Sequence, residues 1–292
     1  MAVFQGSGVA IVTPFRDGNV DYDAYGRLID RQLAGKTDAI VCCATTGEAP
    51  ALSREEKRDI IRFTVDRVAG RVPVVASTGG NNTSHVIEES KTAEAIGVSG
   101  LLVVTPYYNK TSQEGLVQHY RAVADSVHTP IIVYNVPSRT GLNVQPATMK
   151  RMLEHPNIVG TKEASGNIEQ IVNLAALCPD CELYSGNDDH ILPILSVGGK
   201  GVISTVANVL PEMPHDLCAA FFAGDIGKAR ELQFKLLPLW KAAFCDVNPI
   251  PAKAMLGRMG LCRPDVRLPL VAPSEQNMEL IEETLKVYGL IR

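Results

Sequence analysis

"GLLVVTPYYNKTSQEGLVQHYRAVADSVHTPIIVYNVP", residues 100–137, carries the repeating unit of the fold. Two apolar runs, "GLLVVTPYY" and "PIIVYNVP", flank "SQEGLVQHYRAVADSV", where apolar residues recur at helical spacing. Neither run alternates apolar with polar residues, so both faces of each strand are expected to be covered. Strand, helical crossover and strand is the connection that joins parallel neighbours.

The same unit recurs in both directions. Upstream are "GVAIVTPF" from Gly8, "AIVCCATTG" from Ala39 and "PVVASTG" from Pro73. Downstream are "NIVGTKEA" from Asn157, "CELYSGND" from Cys181 and "GVISTVAN" from Gly201. Helical stretches lie between them, among them "SREEKRDIIRFTVDRVAG", which Ser53 and Glu56 open as a capping box and Gly70 closes. About eight such units in roughly 220 residues match an α/β fold of the closed (β/α)8 TIM-barrel type. An open doubly wound sheet would carry a nucleotide-binding glycine loop after its first strand, whereas "GSGVAIV" has its glycines before it. Strands stop near Asp225. "IGKARELQFKLLPLWKAAF", "IPAKAMLGRMG" and "SEQNMELIEETLKVYG" read as a C-terminal three-helix extension, giving a catalytic barrel over 1–224 and an extension over 225–292.

Composition narrows the partners. A net charge of −4 leaves no basic surplus for a nucleic acid, and no apolar run approaches the roughly 20 residues that span a bilayer. The N-terminus has no basic segment ahead of its apolar stretch, so no signal peptide is expected. Seven cysteines, an odd number, suggest reduced thiols in a cytoplasm. Cys42 and Cys43 read as small hydrophobes in a strand, and Cys178 and Cys181 as a CxxC without a second ligand pair.

In such a barrel chemistry sits at the C-terminal ends of the strands. Those positions hold Thr45-Thr46-Gly47-Glu48, Tyr107-Tyr108, Tyr134-Asn135, Lys162-Glu163 and Ser185-Gly186-Asn187-Asp188. Alternation puts Ile158, Gly160 and Lys162 on one face, with Gly160 leaving space for a small ligand. A lysine turned into an apolar barrel loses its preference for charge and becomes a nucleophile that attacks a ketone. The competing reading pairs Lys162 with Glu163 or a neighbouring carboxylate. The TTGE turn offers hydroxyls and backbone N–H groups to a carboxylate, or is a structural turn with Glu48 ion-paired. Tyr134 carries a proton or simply packs. Arg139 clamps a carboxylate or is one more exposed arginine. The six histidines lack HxH or HExxH spacing, which argues against a metal and for surface or capping roles. Asp188-Asp189-His190 is expected to open the next helix.

Taken together, "GVAIVTPF", "TTGE", "TPYYN", "QEGL", "YNVPSRTG", "GTKEASGN", "SGND", "GVISTVANV" and "NPIPAK" resemble the dihydrodipicolinate synthase family of pyruvate-dependent class I aldolases, nearly end to end. The resemblance implies a lyase of diaminopimelate and lysine biosynthesis with pyruvate and L-aspartate 4-semialdehyde as substrates and no cofactor. Lys162 would form the Schiff base, and Thr45 and Thr46 would hold the pyruvate carboxylate. Tyr134 would act as general acid/base, in a relay with Thr45 and with Tyr108 from a neighbouring subunit. Arg139 would bind the second substrate's carboxylate, and Gly186 and Ile203 would line the pocket with carbonyls. A cytoplasmic homotetramer built from tight dimers is implied.

The alternatives are a 2-keto-3-deoxygluconate aldolase or N-acetylneuraminate lyase type of enzyme, or a non-catalytic keto-acid-binding barrel. The arginine after "YNVP" favours the synthase. Two departures stand out. Ala44 replaces the family's usual glycine and would cost on the order of 1 kcal/mol if φ is positive there. At the position of an inhibitory lysine pocket, His85 replaces a carboxylate while Asn81 and Tyr107 are kept, and Ala49, Arg54 and Lys57 stand nearby. Cations there would repel a lysine dication, so lysine inhibition is expected to be weak or absent.

Overall fold

The computed structural model describes residues 2–292. Eight parallel strands close into a barrel: β1 (Gly6–Ala10), β4 (Ala39–Cys42), β5 (Val74–Ser77), β6 (Gly100–Val104), β7 (Ile131–Asn135), β8 (Ile158–Glu163), β9 (Glu182–Ser185) and β10 (Gly201–Ser204), the last pairing with the first. β2 (Phe15–Arg16) and β3 (Asn19–Val20) make a separate antiparallel hairpin. Its two-residue turn, Asp17-Gly18, has φ of 52° and 83°, the geometry Asp-Gly favours in tight hairpins.

Around the barrel run α1 (Tyr22–Ala34), α2 (Arg54–Val68), α3 (Thr83–Ile96), α4 (Gln113–Ala124), the short α5 (Pro137–Thr140), α6 (Pro146–Met152), α7 (Ile168–Leu177), α8 (Ile191–Ser196) and α9 (Glu212–Phe222). α10 (Ile226–Ala243), α11 (Ile250–Arg258) and α12 (Glu275–Val287) form the extension. The Ser53 hydroxyl accepts from Glu56 N–H at 3.1 Å, and the Glu56 carboxylate accepts from Ser53 N–H at 2.9 Å, closing the expected capping box. The left-handed turn that ends α2 begins on Ala69, one residue before Gly70.

Each strand divides its side chains between two apolar layers, which is why the strands are continuously apolar. Val9, Ile40, Cys42, Leu101, Val103, Ile131, Val133 and Leu183 pack outward against the helices. Ala10, Val41, Val75, Leu102, Ile132, Tyr184 and Ile203 fill the barrel, with Phe4 stacked on Tyr184 at 4.4 Å. Cys43 joins the outer layer too, and it is Cys43 (φ 53°), not Ala44, that has a positive φ. Alanine therefore stands there without that strain.

Strict alternation fails at the start of β8. Ile131 pairs with Ile158 but Ile132 with Gly160, a bulge that sends Ile158 into the outer layer. A Cβ on Gly160 would stand 2.1 Å from the Glu182 carbonyl oxygen. The glycine thus lets two strands meet at the bulge and leaves no ligand space, contrary to the sequence expectation. Beyond the bulge the register is regular, and Tyr134 sits beside Lys162.

Candidate active site

Lys162 points into the barrel mouth at 5% exposure, its Nζ 4.3 Å from the centroid of the Tyr134 ring. Glu163 lies on the opposite face of β8. Its carboxylate accepts from Asn135 Nδ2 at 3.0 and 3.3 Å and from Ser165 N–H at 2.7 Å, while burial raises its pKa. The Lys162–Glu163 ion pair is thereby excluded, and among the described residues no hydrogen bond engages Nζ. Gly186, after β9, stands over the lysine stem, where a Cβ would come within 3.2 Å of Lys162 Cε. Ile203 on β10 is buried in the same barrel interior.

The TTGE turn is built as a cradle. Glu48 N–H donates to Thr45 O and Gly47 N–H to Ala44 O, but no acceptor among the described residues engages the N–H of Thr45 or Thr46. The Thr13 hydroxyl donates to Gly47 O at 2.8 Å. Glu48 adopts a left-handed φ of 56° and turns its carboxylate down, 2.7 Å from Nζ of Lys253 on α11. Both side chains are essentially inaccessible, at 1% and 0% exposure. Lys253 also donates to Thr13 O at 2.9 Å and lies 4.1 Å over the Phe15 ring, and Arg267 N–H caps the other Glu48 oxygen at 2.9 Å. Burial pulls the Lys253 pKa down against the opposing pull of Glu48. The turn is thus structurally locked by Glu48 while its two free N–H groups remain open to an anion.

A cavity of about 230 Å³ opens above this floor, with Thr45, Tyr134, Arg139 and Tyr107 among its walls. Lys162 is not itself on its lining, but it lies against Tyr134, which is. Arg139 is exposed and uses Nη2 to donate to Asn248 O at 3.4 Å. A second cavity of about 180 Å³ continues outward between Thr45, Arg139 and Asn248. Tyr108 is not brought here by its own chain. It is 92% exposed, has a left-handed φ of 67°, and lines none of these cavities.

Arg54, Lys57, Asn81, His85 and Tyr107 line a separate cavity of about 160 Å³, whereas Ala49 lines the larger cavity instead. Glu89, which no motif singles out, lines it as well and lies 3.6 Å from Arg54. The group is less cationic than its selected residues suggest. Lys57 and Tyr107 are shared with the 230 Å³ cavity, so the two are neighbours.

Of two expectations about acids and histidines, one holds in part and one fails. Asp188, Asp189 and His190 form the turn that runs into α8 with His190 at its N-cap position, as expected, but no side-chain capping bond is made there and Asp188 is engaged elsewhere. Its buried carboxylate accepts from the Ser204 hydroxyl and from the N–H groups of Thr205 and Val206 at 3.0 and 3.1 Å, fixing the turn after β10, and burial raises its pKa. His119 is neither a surface nor a capping residue: it is buried, bonded through Nδ1 to the Thr83 hydroxyl at 2.9 Å, with Nε2 unpartnered. Asn248, missed as a site residue although it begins "NPIPAK", donates from Nδ2 to Thr46 Oγ1 at 2.9 Å.

Residues 3–288 match the pattern of the "Dihydrodipicolinate synthetase family". A 4-hydroxy-tetrahydrodipicolinate synthase of Caldicellulosiruptor bescii is 54% identical over 291 residues, 99% of each chain. One from Thermoanaerobacter sp. (strain X514) is 50% identical over 294 residues, 100% of this chain and 99% of its own. The crystal structure of dihydrodipicolinate synthase from Thermotoga maritima superposes with a TM-score of 0.97 at 44% identity, covering 99% of this chain and 100% of that one.

Proposed function

The chain belongs to the dihydrodipicolinate synthetase family, and from that premise we infer that it condenses pyruvate with L-aspartate 4-semialdehyde to 4-hydroxy-tetrahydrodipicolinate. The observation that carries the chemistry is a barrel lysine without a carboxylate partner, against a tyrosine ring that shares a cavity with Thr45 of a turn with two unfilled N–H groups.

The Lys162 amine attacks the pyruvate ketone and water leaves, giving an iminium ion. Thr45 and Thr46 hold the pyruvate carboxylate, with hydroxyl and N–H donors matched to an acceptor-only group. The iminium accepts electrons as the methyl group loses a proton, forming an enamine, and Tyr134 carries protons to and from the reacting atoms. The enamine carbon bonds to the aldehyde carbon of the second substrate, whose carboxylate Arg139 binds by a forked, charge-assisted contact. The new hydroxyl retains the aldehyde oxygen. The amino group of the same substrate then attacks the imine carbon, closes the ring and expels Lys162. Gly186 and Ile203 wall the pocket around the lysine.

The relay with Tyr134 and Thr45 is completed by Tyr108 of a neighbouring copy, in a homotetramer built from tight dimers. Exposure of this tyrosine on its own chain supports that role. No helix among the described residues is long and apolar enough to cross a membrane, and a cytoplasmic location is part of the proposal.

Borohydride reduction in the presence of pyruvate tests the reading. A covalent pyruvyl adduct mapped to Lys162, together with turnover of pyruvate and aspartate semialdehyde in preference to 2-keto-3-deoxygluconate or N-acetylneuraminate, is expected. No adduct, or an adduct on another lysine, overturns it.

A further inference from the structure

Asn248 lies in the segment that enters α11, nine-tenths buried, where the extension meets the barrel mouth. Its Nδ2 donates to Thr46 Oγ1 at 2.9 Å, its main-chain carbonyl accepts from Arg139 at 3.4 Å, and its Oδ1 is buried with no partner. Five residues on, Lys253 pins the same segment to Glu48 and Thr13. A hydroxyl has one hydrogen to give and lone pairs to receive. With one lone pair of Thr46 taken by the Asn248 amide, and its neighbour Thr205 Oγ1 at a long 3.4 Å, the hydroxyl hydrogen is left for an incoming acceptor.

We propose that Asn248 is a positioning residue that sets Thr46 as a donor to the pyruvate carboxylate. This rests on the reading that Thr46 binds that carboxylate. The side chain acts on Thr46 alone, because Arg139 is met through the main chain, which every substitution retains. The two substrates therefore separate the effect from a general loosening of the fold.

The test uses the full chain with Asn248→Ala, Thr46→Val, the double variant, and Asn277→Ala as a control that removes a hydrogen bond to Asp246 within the extension. Pyruvate capture is read from the concentration dependence of borohydride trapping, and the KM of aspartate semialdehyde from turnover. Asn248→Ala raises half-saturating pyruvate by about 5–10-fold, the value of one hydrogen bond, and moves the KM of the aldehyde by less than about twofold. The double variant is no worse for pyruvate than Thr46→Val, since coupled residues are not additive. Should alanine fail to fold, Asn248→Asp keeps the size but places a negative charge beside the carboxylate nest, and raises half-saturating pyruvate at least as much. Equal rises for both substrates, additive effects of the two substitutions, or unchanged pyruvate capture overturn the proposal. Absence of trapping in the unaltered chain overturns the functional reading instead, and this inference with it.

Discussion

Lys162→Ala removes the amine that the mechanism needs, so turnover and pyruvate-dependent labelling are expected to vanish while the far-ultraviolet circular dichroism is kept. Tyr134→Phe removes only the hydroxyl. It should lower kcat by about 10²–10⁴-fold, the usual size of a lost proton-transfer group, with labelling still detectable. A different residue governs acid stability. Burial pushes the His119 pKa down to about 4 from an ordinary 6.5, so the folded state favours the neutral ring. The unfolded chain binds the extra proton between those values. Stability from this source is complete above about pH 6.5 and is lost as pH falls toward 4, by on the order of 3 kcal/mol. His119→Gln should flatten that part of the stability–pH curve in urea titrations, and an unchanged slope would count against the assignment.

Among the elements, the TTGE turn is the one whose shape is imposed from outside. Removing one member of a buried ion pair leaves the other charge without a counter-charge, at a cost of about 3–5 kcal/mol. Lys253→Met should lower the unfolding free energy by that amount in a denaturant titration, and restoring part of it with Glu48→Gln in the same chain would show that the stranded carboxylate was the cause. The elements themselves were legible because continuous apolar runs and helical spacing are local properties. The eight strands, the capping box at Ser53 and the three C-terminal helices all follow from them. What local spacing does not carry is a shift of register: Ile158 faces outward because β8 bulges against β7. Nor does it carry partners far along the chain. Glu48 and Lys253 are 205 residues apart, and Asn248 and Thr46 are 202 apart. Lys162, Tyr134, Thr45 and Arg139 could be picked out because strand ends in a barrel converge; Asn248 came from the extension, to which that rule does not apply.

At the level of the whole molecule, Tyr108 makes the assembly part of the chemistry we propose. Separated subunits should be largely inactive, and Tyr108→Phe should lower kcat more than it weakens pyruvate binding; a fully active monomer in sedimentation-coupled assays would overturn this. The 160 Å³ cavity beside Tyr107 bears on control. Arg54 already engages the nearby carboxylates, Glu88 at 3.2 Å and Glu89 at 3.6 Å, and Lys57 adds a further cation, so the cavity offers a lysine dication little free negative charge. Millimolar lysine is therefore expected to leave the rate at neutral pH nearly unchanged, and clear inhibition would refute that.

The sealed contact between Glu48 and α11 also decides how this protein can be divided. A chain cut after residue 224 would lose Lys253 and the Arg267 N–H that hold Glu48, bare the apolar face of Ile191, Leu195, Val206 and Leu217 that the extension covers, and strip the amide neighbour from Thr46. The tail is therefore no detachable accessory, and the shortened barrel should emerge insoluble rather than merely slow. Exchanging tails between relatives should succeed only when the incoming segment brings its own lysine to Glu48.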